Sequence, residues 1–207
     1  MAMDAKQVKP IPPRTFIFHP PSYVDRLNLK QLFANDNPLE VELGAGDGSF
    51  LTQWANLHPD RNFIGIERLL GRLRKIDRKA ARLGLTNLKL LRIEAGYFLG
   101  YLLPAGALSA LHIYFPDPWP KRKQRKNRLI DREFTETAAK ALAAQGVVYL
   151  RTDDRDYFGQ MCAAFRQNPR FSEAEVSAEL QKLQTDFERG FQARGIQTVS
   201  AAFRTVD

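Results

Sequence analysis

The sequence predicts an α/β fold built on a mostly parallel, doubly wound sheet with helices on both faces. Two observations support this prediction. Apolar strand-like runs alternate with helix-like runs along most of the 207 residues, and strands joined by crossover helices form parallel sheets. A glycine-rich stretch also follows the first strand, at the sheet edge where such folds bind ligands. The last two strand-like runs lie close together in the chain, and we expect them to pair as an antiparallel hairpin.

Each predicted strand is a short run rich in aliphatic, β-branched or aromatic residues. The strands cover residues 39–43, 62–67, 87–94, 110–115 and 147–152, with two further strand-like runs at 171–180 and 196–206.

The predicted helices have apolar residues at helical spacing. Gly146 follows one of them as a natural C-terminal stop, and Pro169 ends another. The helices cover residues 49–57, 69–83, about 97–103, 131–144 and 155–168, with a helical turn near Phe187.

Length and composition fit one domain with a short N-terminal arm. Prolines occupy positions 10, 12, 13, 20 and 21, so residues 1–21 are predicted to form an extended arm and residues 22–207 the domain. No apolar run has membrane-spanning length, and the N-terminus lacks the apolar centre of a secretory signal. We therefore expect a cytoplasmic protein with no membrane partner; whether it is a monomer or a homodimer stays open.

The cysteine and histidine residues argue against a metal site. Cys162 is the single cysteine, which excludes an intrachain disulfide and a cysteine metal cluster. His19, His58 and His112 are scattered and lack metal-ligand spacing. We expect no bound metal.

Positive charge is concentrated in two segments of a chain with a formal net charge of +8. Residues 121–128 hold six basic side chains and no acid, and residues 68–82 hold seven basic side chains against Asp77. Such concentration suits a polyanionic partner. The bases in 68–82 also fit the solvated face of an amphipathic helix, whereas 121–128 has no apolar periodicity and favours nucleic acid.

The first strand leads into VELGAGDGSF, in which Gly44, Gly46 and Gly48 precede a helix. Glycines let the backbone turn tightly and lie against a ligand. A dinucleotide-binding fingerprint requires its third glycine where this chain has Ser49. A loop that binds a diphosphate is therefore disfavoured.

Three acids at successive strand ends point to a bound adenosine-type cofactor. Glu67 ends the second strand, where a carboxylate accepts both ribose hydroxyls. Glu42 lies on the first strand, where a buried carboxylate requires a cationic ligand or a basic neighbour. Glu94 ends the third strand, in reach of an adenine. S-adenosylmethionine fits best, because it has no phosphate and carries an ammonium and a sulfonium.

The segment FPDPWPKRKQRKNRL, residues 115–129, places Asp117 between two prolines and before Trp119, and a dense basic run follows. With VELGAGDGSF, FIGIE, RTDD (151–154) and TDFERGFQARG (185–195), this segment resembles the bacterial tRNA (guanine-N7)-methyltransferase family. The resemblance runs from about Leu39 to the C-terminus. It implies a Rossmann-like class I methyltransferase fold with a seven-stranded sheet and an antiparallel C-terminal strand.

The resemblance also implies roles for individual residues. Glu42, Glu67, Glu94 and Asp117 would line the cofactor site with the three loop glycines, and Asp117 is the expected catalytic residue. Predicted substrate contacts are Lys121, Asp153, Thr185, Asp186, Phe187 and Glu188. Predicted contacts to the RNA backbone are Arg122, Lys123, Arg125, Lys126 and Arg128.

The chemistry of methylation at guanine N7 explains why a carboxylate such as Asp117 would be useful in the site. Guanine N7 has an in-plane lone pair and no proton, so methylation at N7 needs no general base. The product ring is cationic, and a nearby carboxylate stabilises the charge that grows in the transition state. Trp119 offers a stacking face for a base, or else caps the core after a rigid turn.

Two residues in the late segment also have a purely structural interpretation. Thr185 and Glu188 match a helix capping box, and Asp154 is expected to cap the helix that follows it. The functional roles of Thr185, Glu188 and Asp153 depend chiefly on the resemblance.

Three alternatives remain at this point. An exocyclic-amino methyltransferase uses an acid or amide, two prolines and an aromatic, but here only Pro118 separates Asp117 from Trp119. An inactive RNA-binding relative would bind tRNA without regard to S-adenosylmethionine. An NAD-linked oxidoreductase is the most distant, since no constellation suited to hydride transfer stands out.

Overall fold

A computed structural model describes residues 15–206 and contains a seven-stranded sheet in the order β3-β2-β1-β4-β5-β7-β6. Strands β1 to β5 run parallel, and β7 is antiparallel to both β5 and β6. The predicted fold class and the antiparallel C-terminal pair are confirmed. The strands are β1 (Leu39–Leu43), β2 (Asn62–Ile66), β3 (Leu88–Leu91), β4 (Leu108–Tyr114), β5 (Leu142–Thr152), β6 (Phe171–Ala174) and β7 (Val199–Thr205).

Helices cover both faces of the sheet. A π-helix, Phe98–Leu102, continues α4, and a 3₁₀ helix, Arg122–Asn127, lies between β4 and α5. The α-helices are α1 (Leu29–Phe33), α2 (Ser49–Leu57), α3 (Leu70–Arg82), α4 (Ala95–Tyr97), α5 (Arg132–Ala141), α6 (Arg155–Arg166), α7 (Ala178–Lys182) and α8 (Asp186–Gln192).

The core has two parts because the sheet is covered on both sides. Every residue of β1 and β2 is buried, as expected for central parallel strands. One cluster joins α5 and α6 to Val41 and Leu43 of β1, and the other joins α2 and α3 to β2 and β3. This arrangement leaves the carboxyl ends of β1 to β5 along one edge of the sheet.

The prediction that a helix runs over 131–144 was wrong at its end. The helix α5 stops at Ala141, and β5 begins at Leu142, which pairs with Leu108. Within β5 the register of pairing with β4 then shifts; Gln145 has φ 61° there, and a side chain at Gly146 would lie 2.9 Å from the Ala143 carbonyl oxygen. Pairing with β4 therefore overrides the helical propensity of 142–144.

Two predicted strands are shorter in the structure because side chains start helices within them. In 171–180 the strand ends at Ala174, and the Ser177 hydroxyl accepts the Leu180 amide (3.2 Å) to cap α7. In 87–94 the strand ends at Leu91, and Glu94 caps α4.

The predicted arm, residues 1–21, falls partly outside the described residues, and only its end from Thr15 is described. Phe16 is buried, and its carbonyl oxygen accepts the Leu90 amide (2.8 Å), while the Phe18 amide donates to the Leu90 carbonyl (3.0 Å). This end of the arm therefore lies beside β3. The domain boundary at residue 22 stays a prediction.

Candidate active site

The loop after β1 has the backbone shape that its glycines predict. Gly44, Gly46 and Gly48 have φ values of 77°, 57° and 74°, a left-handed region that favours glycine. A Cβ on Gly48 would lie 2.7 Å from Ile76 Cγ2 of α3. The loop is therefore held closely against α3, and no side chain of its own covers the Gly44 and Gly46 backbone.

Glu67 stabilises this loop from the end of β2. One carboxylate oxygen accepts the Gly46 amide (3.0 Å) and the other accepts the Leu69 amide (2.8 Å). The side chain is buried, and Arg72 approaches it at 4.0 Å. Each oxygen of a carboxylate has further acceptor capacity, so Glu67 is also able to accept the hydroxyls of a ribose lying on the loop.

Glu42 is a buried carboxylate with an unpaired oxygen. It is 4% exposed, and its Oε2 has no hydrogen-bond partner among the described residues. Burial raises the pKa of Glu42 well above its usual range, the charges of Asp47 and Glu67 raise it further, and Arg151 opposes them. An orphaned buried carboxylate is costly. The unpaired oxygen is a buried acceptor, and its chemistry fits the ammonium group of S-adenosylmethionine.

Glu40, two residues earlier on the same strand, shows what a satisfied buried carboxylate looks like here. It accepts the Trp54 indole N–H (2.8 Å), lies 2.7 Å from His112 Nε2 and pairs with Arg61. Burial alone would raise the pKa of Glu40, but the hydrogen bond and charge of His112, with the Arg61 and Trp54 bonds, lower it to about 2. Tyr114 contacts the other His112 nitrogen at 3.0 Å.

Glu94 lies at the same edge but is exposed. Its two oxygens accept the Gly96 amide (2.9 Å) and the Tyr97 amide (2.7 Å). Glu94 therefore caps α4, and its contact with an adenine stays a prediction.

The segment after β4 is rigid and strained. Phe115 and Trp119 have φ values of 52° and 43°, unusual for bulky residues, and Pro116 and Pro118 lie between them. Asp117 is exposed, and no hydrogen bond or ion pair to its carboxylate occurs within residues 15–206. Because β4 pairs with β1, this free carboxylate stands at the same edge as the glycine loop.

Trp119 is partly exposed and belongs to neither core cluster of the described chain. The interpretation of Trp119 as a cap on the core is therefore not supported, and its indole is accessible to a ligand.

In the basic tail, residues 121–128, four of the six bases form no ion pair in the described part of the chain, and Arg125 and Arg128 do. Lys121, Arg122, Lys123 and Lys126 are exposed and form no ion pair with any acid of residues 15–206. Arg125 pairs with Asp156 at 3.1 Å.

Arg128 corrects the sequence prediction. Its side chain is buried at 5% exposure and donates to the Pro118 carbonyl (2.8 Å), to Gln160 (2.7 Å) and to Asp156 (2.6 Å). All these partners are internal, so Arg128 fixes the PDPW turn on α6 and is not free to contact an RNA phosphate.

The late segment folds as the capping box that the sequence predicts. The Thr185 hydroxyl accepts the Glu188 amide (3.1 Å), and the Glu188 carboxylate accepts the Thr185 amide (2.8 Å). Both side chains are buried, and Glu188 also pairs with Arg151 at 2.8 Å. Both side chains are engaged in holding α8.

Asp186 and Phe187, at the start of α8, lie beside the glycine loop. The Asp186 amide donates to Ser49 Oγ (3.0 Å), and Lys79 pairs with both Asp47 (3.2 Å) and Asp186 (3.7 Å). Phe187 is 49% exposed, and a Cβ on Gly46 would lie 3.8 Å from its ring.

Phe187 also lies 6.1 Å from the Phe115 ring, measured between centroids. It therefore contacts both the glycine loop and the strained segment that carries Asp117, and its exposed ring lies between the two.

Asp153 and Asp154, which follow β5, differ in their contacts. The Asp154 side chain accepts the Tyr157 amide (2.7 Å), which confirms it as the cap of α6. Asp153 is partly exposed at the same sheet edge.

Sequence reasoning missed the role of Arg151 and the cluster of Phe115, Phe187 and Phe191. Arg151 is buried, and besides Glu188 it binds the carbonyl oxygens of Leu183 (2.9 Å) and Leu180 (2.8 Å). The available sign was a basic residue on a strand predicted to be buried, which requires an acid from elsewhere. The ring centroids of Phe191 and Phe115 lie 5.5 Å apart. The sequence did not predict this contact, because the two residues are far apart in the chain.

Within residues 15–206, no group of three or more histidine, cysteine, aspartate or glutamate side chains is arranged to hold a metal ion. The helices of the same part of the chain include none with the length and apolar character needed to cross a bilayer.

Comparison with known proteins identifies the family. A family model described as "Putative methyltransferase" matches residues 36–201. A tRNA (guanine-N(7)-)-methyltransferase of Streptococcus thermophilus (strain CNRZ 1066) is 34% identical over 181 residues, which cover 84% of each chain. One of the same name from Geobacillus kaustophilus (strain HTA426) is 36% identical over 172 residues, covering 80% of this chain and 78% of the relative.

The solved structure of the 16S rRNA methyltransferase KamB superposes with a TM-score of 0.65 and 16% identity, covering 86% of this chain and 93% of that one, and it shows the fold alone. The structure thus has the class I methyltransferase architecture. By the identity and coverage of its relatives, the chain belongs to the family of tRNA (guanine-N(7)-)-methyltransferases.

Proposed function

We propose that this protein transfers a methyl group from S-adenosylmethionine to N7 of a variable-loop guanine in tRNA. The observation that carries the proposal is the free carboxylate of Asp117, held on a strained, proline-flanked turn at the edge where the glycine loop and the unpaired Glu42 oxygen also lie. Relatives with 34% and 36% identity are named for this activity.

The cofactor is bound by residues that already have matching chemistry. Glu42 accepts the ammonium group, Glu67 accepts ribose hydroxyls while it keeps its bonds to the loop amides, and Glu94 lies toward the adenine. The backbone of Gly44 and Gly46 allows close approach because no Cβ intervenes. When bound, S-adenosylmethionine supplies an electrophilic methyl group.

Asp117 acts by its charge and its geometry. No proton has to leave N7, so the chain provides orientation, worth about 7–11 kcal/mol in well-oriented systems, and a favourable field. Positive charge grows on the purine during methylation, and the Asp117 carboxylate stabilises it. The same carboxylate accepts hydrogen bonds from the N1–H and amino group of the guanine edge.

Four basic residues and one exposed phenylalanine bind the tRNA. Lys121, Arg122, Lys123 and Lys126 contact phosphates, and their freedom from internal ion pairs supports this role. Exposed Phe187 offers a ring for base stacking between the loop and Asp117.

The remaining predicted substrate residues divide by exposure. Asp153 and Asp186 face the edge, whereas buried Thr185 and Glu188 act by shaping α8. Since the substrate is tRNA, we expect the protein to work in the cytoplasm.

The test is a labelled-methyl assay with product mapping. The protein is incubated with methyl-labelled S-adenosylmethionine and unmodified tRNA, and the tRNA is digested to nucleosides. We expect the label in 7-methylguanosine, and no label when 7-deazaguanosine replaces the target. Label on an exocyclic amino group, or tRNA and cofactor binding without transfer, would contradict the proposal.

A further inference from the structure

The exposed face of α3 is a strip of unpaired positive charge that the proposed site does not use. The apolar face of α3 consists of Leu73, Ile76 and Ala80, which are buried. The opposite face has four exposed bases that pair with no acid of residues 15–206: Arg74, Lys75, Arg78 and Arg82.

The one acid in this segment does not neutralise the strip. The Asp77 carboxylate accepts the Phe16 amide (2.6 Å) and the Thr15 hydroxyl (3.3 Å), so it faces the end of the N-terminal arm. Arg72 and Lys79, the two bases with acid neighbours, point instead to Glu67 and to Asp47 and Asp186.

The strip works against the stability of its own helix. Arg74, Arg78 and Arg82 are spaced four apart, and each such like-charge pair costs about 0.2–0.5 kcal/mol. The first turn of α3 has no acid and Leu69 provides no side-chain cap, and an acid or a cap there would favour the helix. Arg82, in the last turn, is the one base of the strip at a position that the helix dipole favours.

Helix α5 shows that the fold does not require this arrangement. It is also amphipathic, but Asp131 caps it and Glu133 lies in its first turn. Unfavourable local charge that the fold does not require indicates an external anion.

The strip is also well placed beside the proposed site. Helix α3 begins just after Glu67 and packs on Gly48 through Ile76. In the sheet, β2 and β4 flank β1, so α3 and the basic tail stand on opposite sides of the glycine loop, with the strand ends about 10 Å apart. The stretch from Arg74 to Arg82 extends about 12 Å along the helix, enough for several phosphates.

We propose that the exposed face of α3 is a second tRNA contact, which binds the phosphate backbone of a helical arm away from the reacting guanine. This inference rests on the proposed function, since it takes its polyanion to be the same tRNA. The basic tail and α3 then bind the tRNA on either side of the loop, and α3 adds affinity for whole tRNA without touching the reacting base.

The test compares two variants that each lose two charges. Arg74→Gln/Arg78→Gln removes the centre of the strip, and Arg132→Gln/Lys140→Gln removes two exposed bases of α5 as the matched control. Binding is measured against salt for whole tRNA and for a short hairpin that carries only the target guanine and its neighbours. Circular dichroism checks folding, and Lys75→Gln/Arg82→Gln serves as a second variant of the strip.

We expect the strip variant to bind whole tRNA about tenfold more weakly near 0.1 M salt, with a salt slope smaller by about 2. Its binding to the hairpin and its rate at saturating tRNA should match the wild type, and the control should match in every assay. Wild-type affinity and slope on whole tRNA would overturn the inference. Equal weakening on hairpin and whole tRNA would also overturn it, because the contact would then lie at the reacting segment.

The binding measurement does not depend on catalysis. Absence of methyl transfer by the wild-type protein would therefore count against the proposed function, while the salt slopes would still decide the role of α3.

Discussion

The buried pair of Arg151 and Glu188 holds α8 against the sheet, and its removal has a calculable cost. Arg151 is 4% exposed and makes three charge-assisted hydrogen bonds, to Glu188 and to the Leu183 and Leu180 carbonyls, at 2.8–2.9 Å. Removal of one partner of a buried pair costs about 3–5 kcal/mol, because the other charge stays buried and unpaired. We therefore expect Arg151→Met to lower the free energy of unfolding by about 4 kcal/mol.

Urea unfolding followed by circular dichroism measures this loss. With a slope of about 2–3 kcal/mol per M, the midpoint should fall by about 1–2 M. The double variant Arg151→Met/Glu188→Met also removes the buried carboxylate that has lost its cationic partner and should recover at least about 1 kcal/mol. A double variant no more stable than the single one, or a single-variant loss below about 1 kcal/mol, would refute the reasoning.

Three further predictions concern the loop and its strand. The pKa of Glu40 is depressed to about 2, so its stabilisation is present above pH about 4.5 and is lost as pH falls toward 2; acid titration of stability should therefore be flatter for Glu40→Gln. The pKa of Glu42 is raised by burial, so its contribution to stability is fully present below about pH 4.5 and is lost as pH rises through its folded-state pKa. Glu42→Gln should then be at least as stable as the wild type at pH 7 by thermal melting, yet bind S-adenosylmethionine about tenfold more weakly by calorimetry; unchanged affinity would contradict its role. Gly48→Ala brings a Cβ within 2.7 Å of Ile76 at φ 74° and should cost about 2–3 kcal/mol of stability in urea; a loss under about 0.5 kcal/mol would contradict that packing.

The fold followed from the sequence where local pattern and tertiary structure agree. Alternating apolar runs predicted β1 to β5 and the helices between them, and the closing pair of strands was expected to be antiparallel. The boundary at Leu142 was not predictable, because pairing with Leu108, 34 positions away in the chain, draws the end of a helix-like run into a strand.

The edge of the sheet that holds the candidate site was predictable, because parallel strands end there. The rule that ligands bind at this edge selected Glu42 and Glu67 without a structure, whereas the family resemblance selected Asp117. Partners distant in sequence were not predictable. Arg128 looked like another base of the tail, and only the fold shows that Asp156 and Gln160 occupy it.

The same limit applied to the buried network on β1. Glu40 and His112 gave no sign in the sequence that they form a pair, since β4 brings His112 beside β1 from 72 positions away. Their pairing explains why Glu42, and not Glu40, is the strand acid left for a ligand.

The most direct test of the central claim is the single-turnover rate of methyl transfer to tRNA by Asp117→Asn, with S-adenosylmethionine affinity measured in parallel. Loss of a charge that stabilises the transition state should lower the rate by about 10²–10³-fold, while cofactor affinity falls by no more than about tenfold. A rate within twofold of the wild type would show that the carboxylate of Asp117 does not act on the reacting guanine.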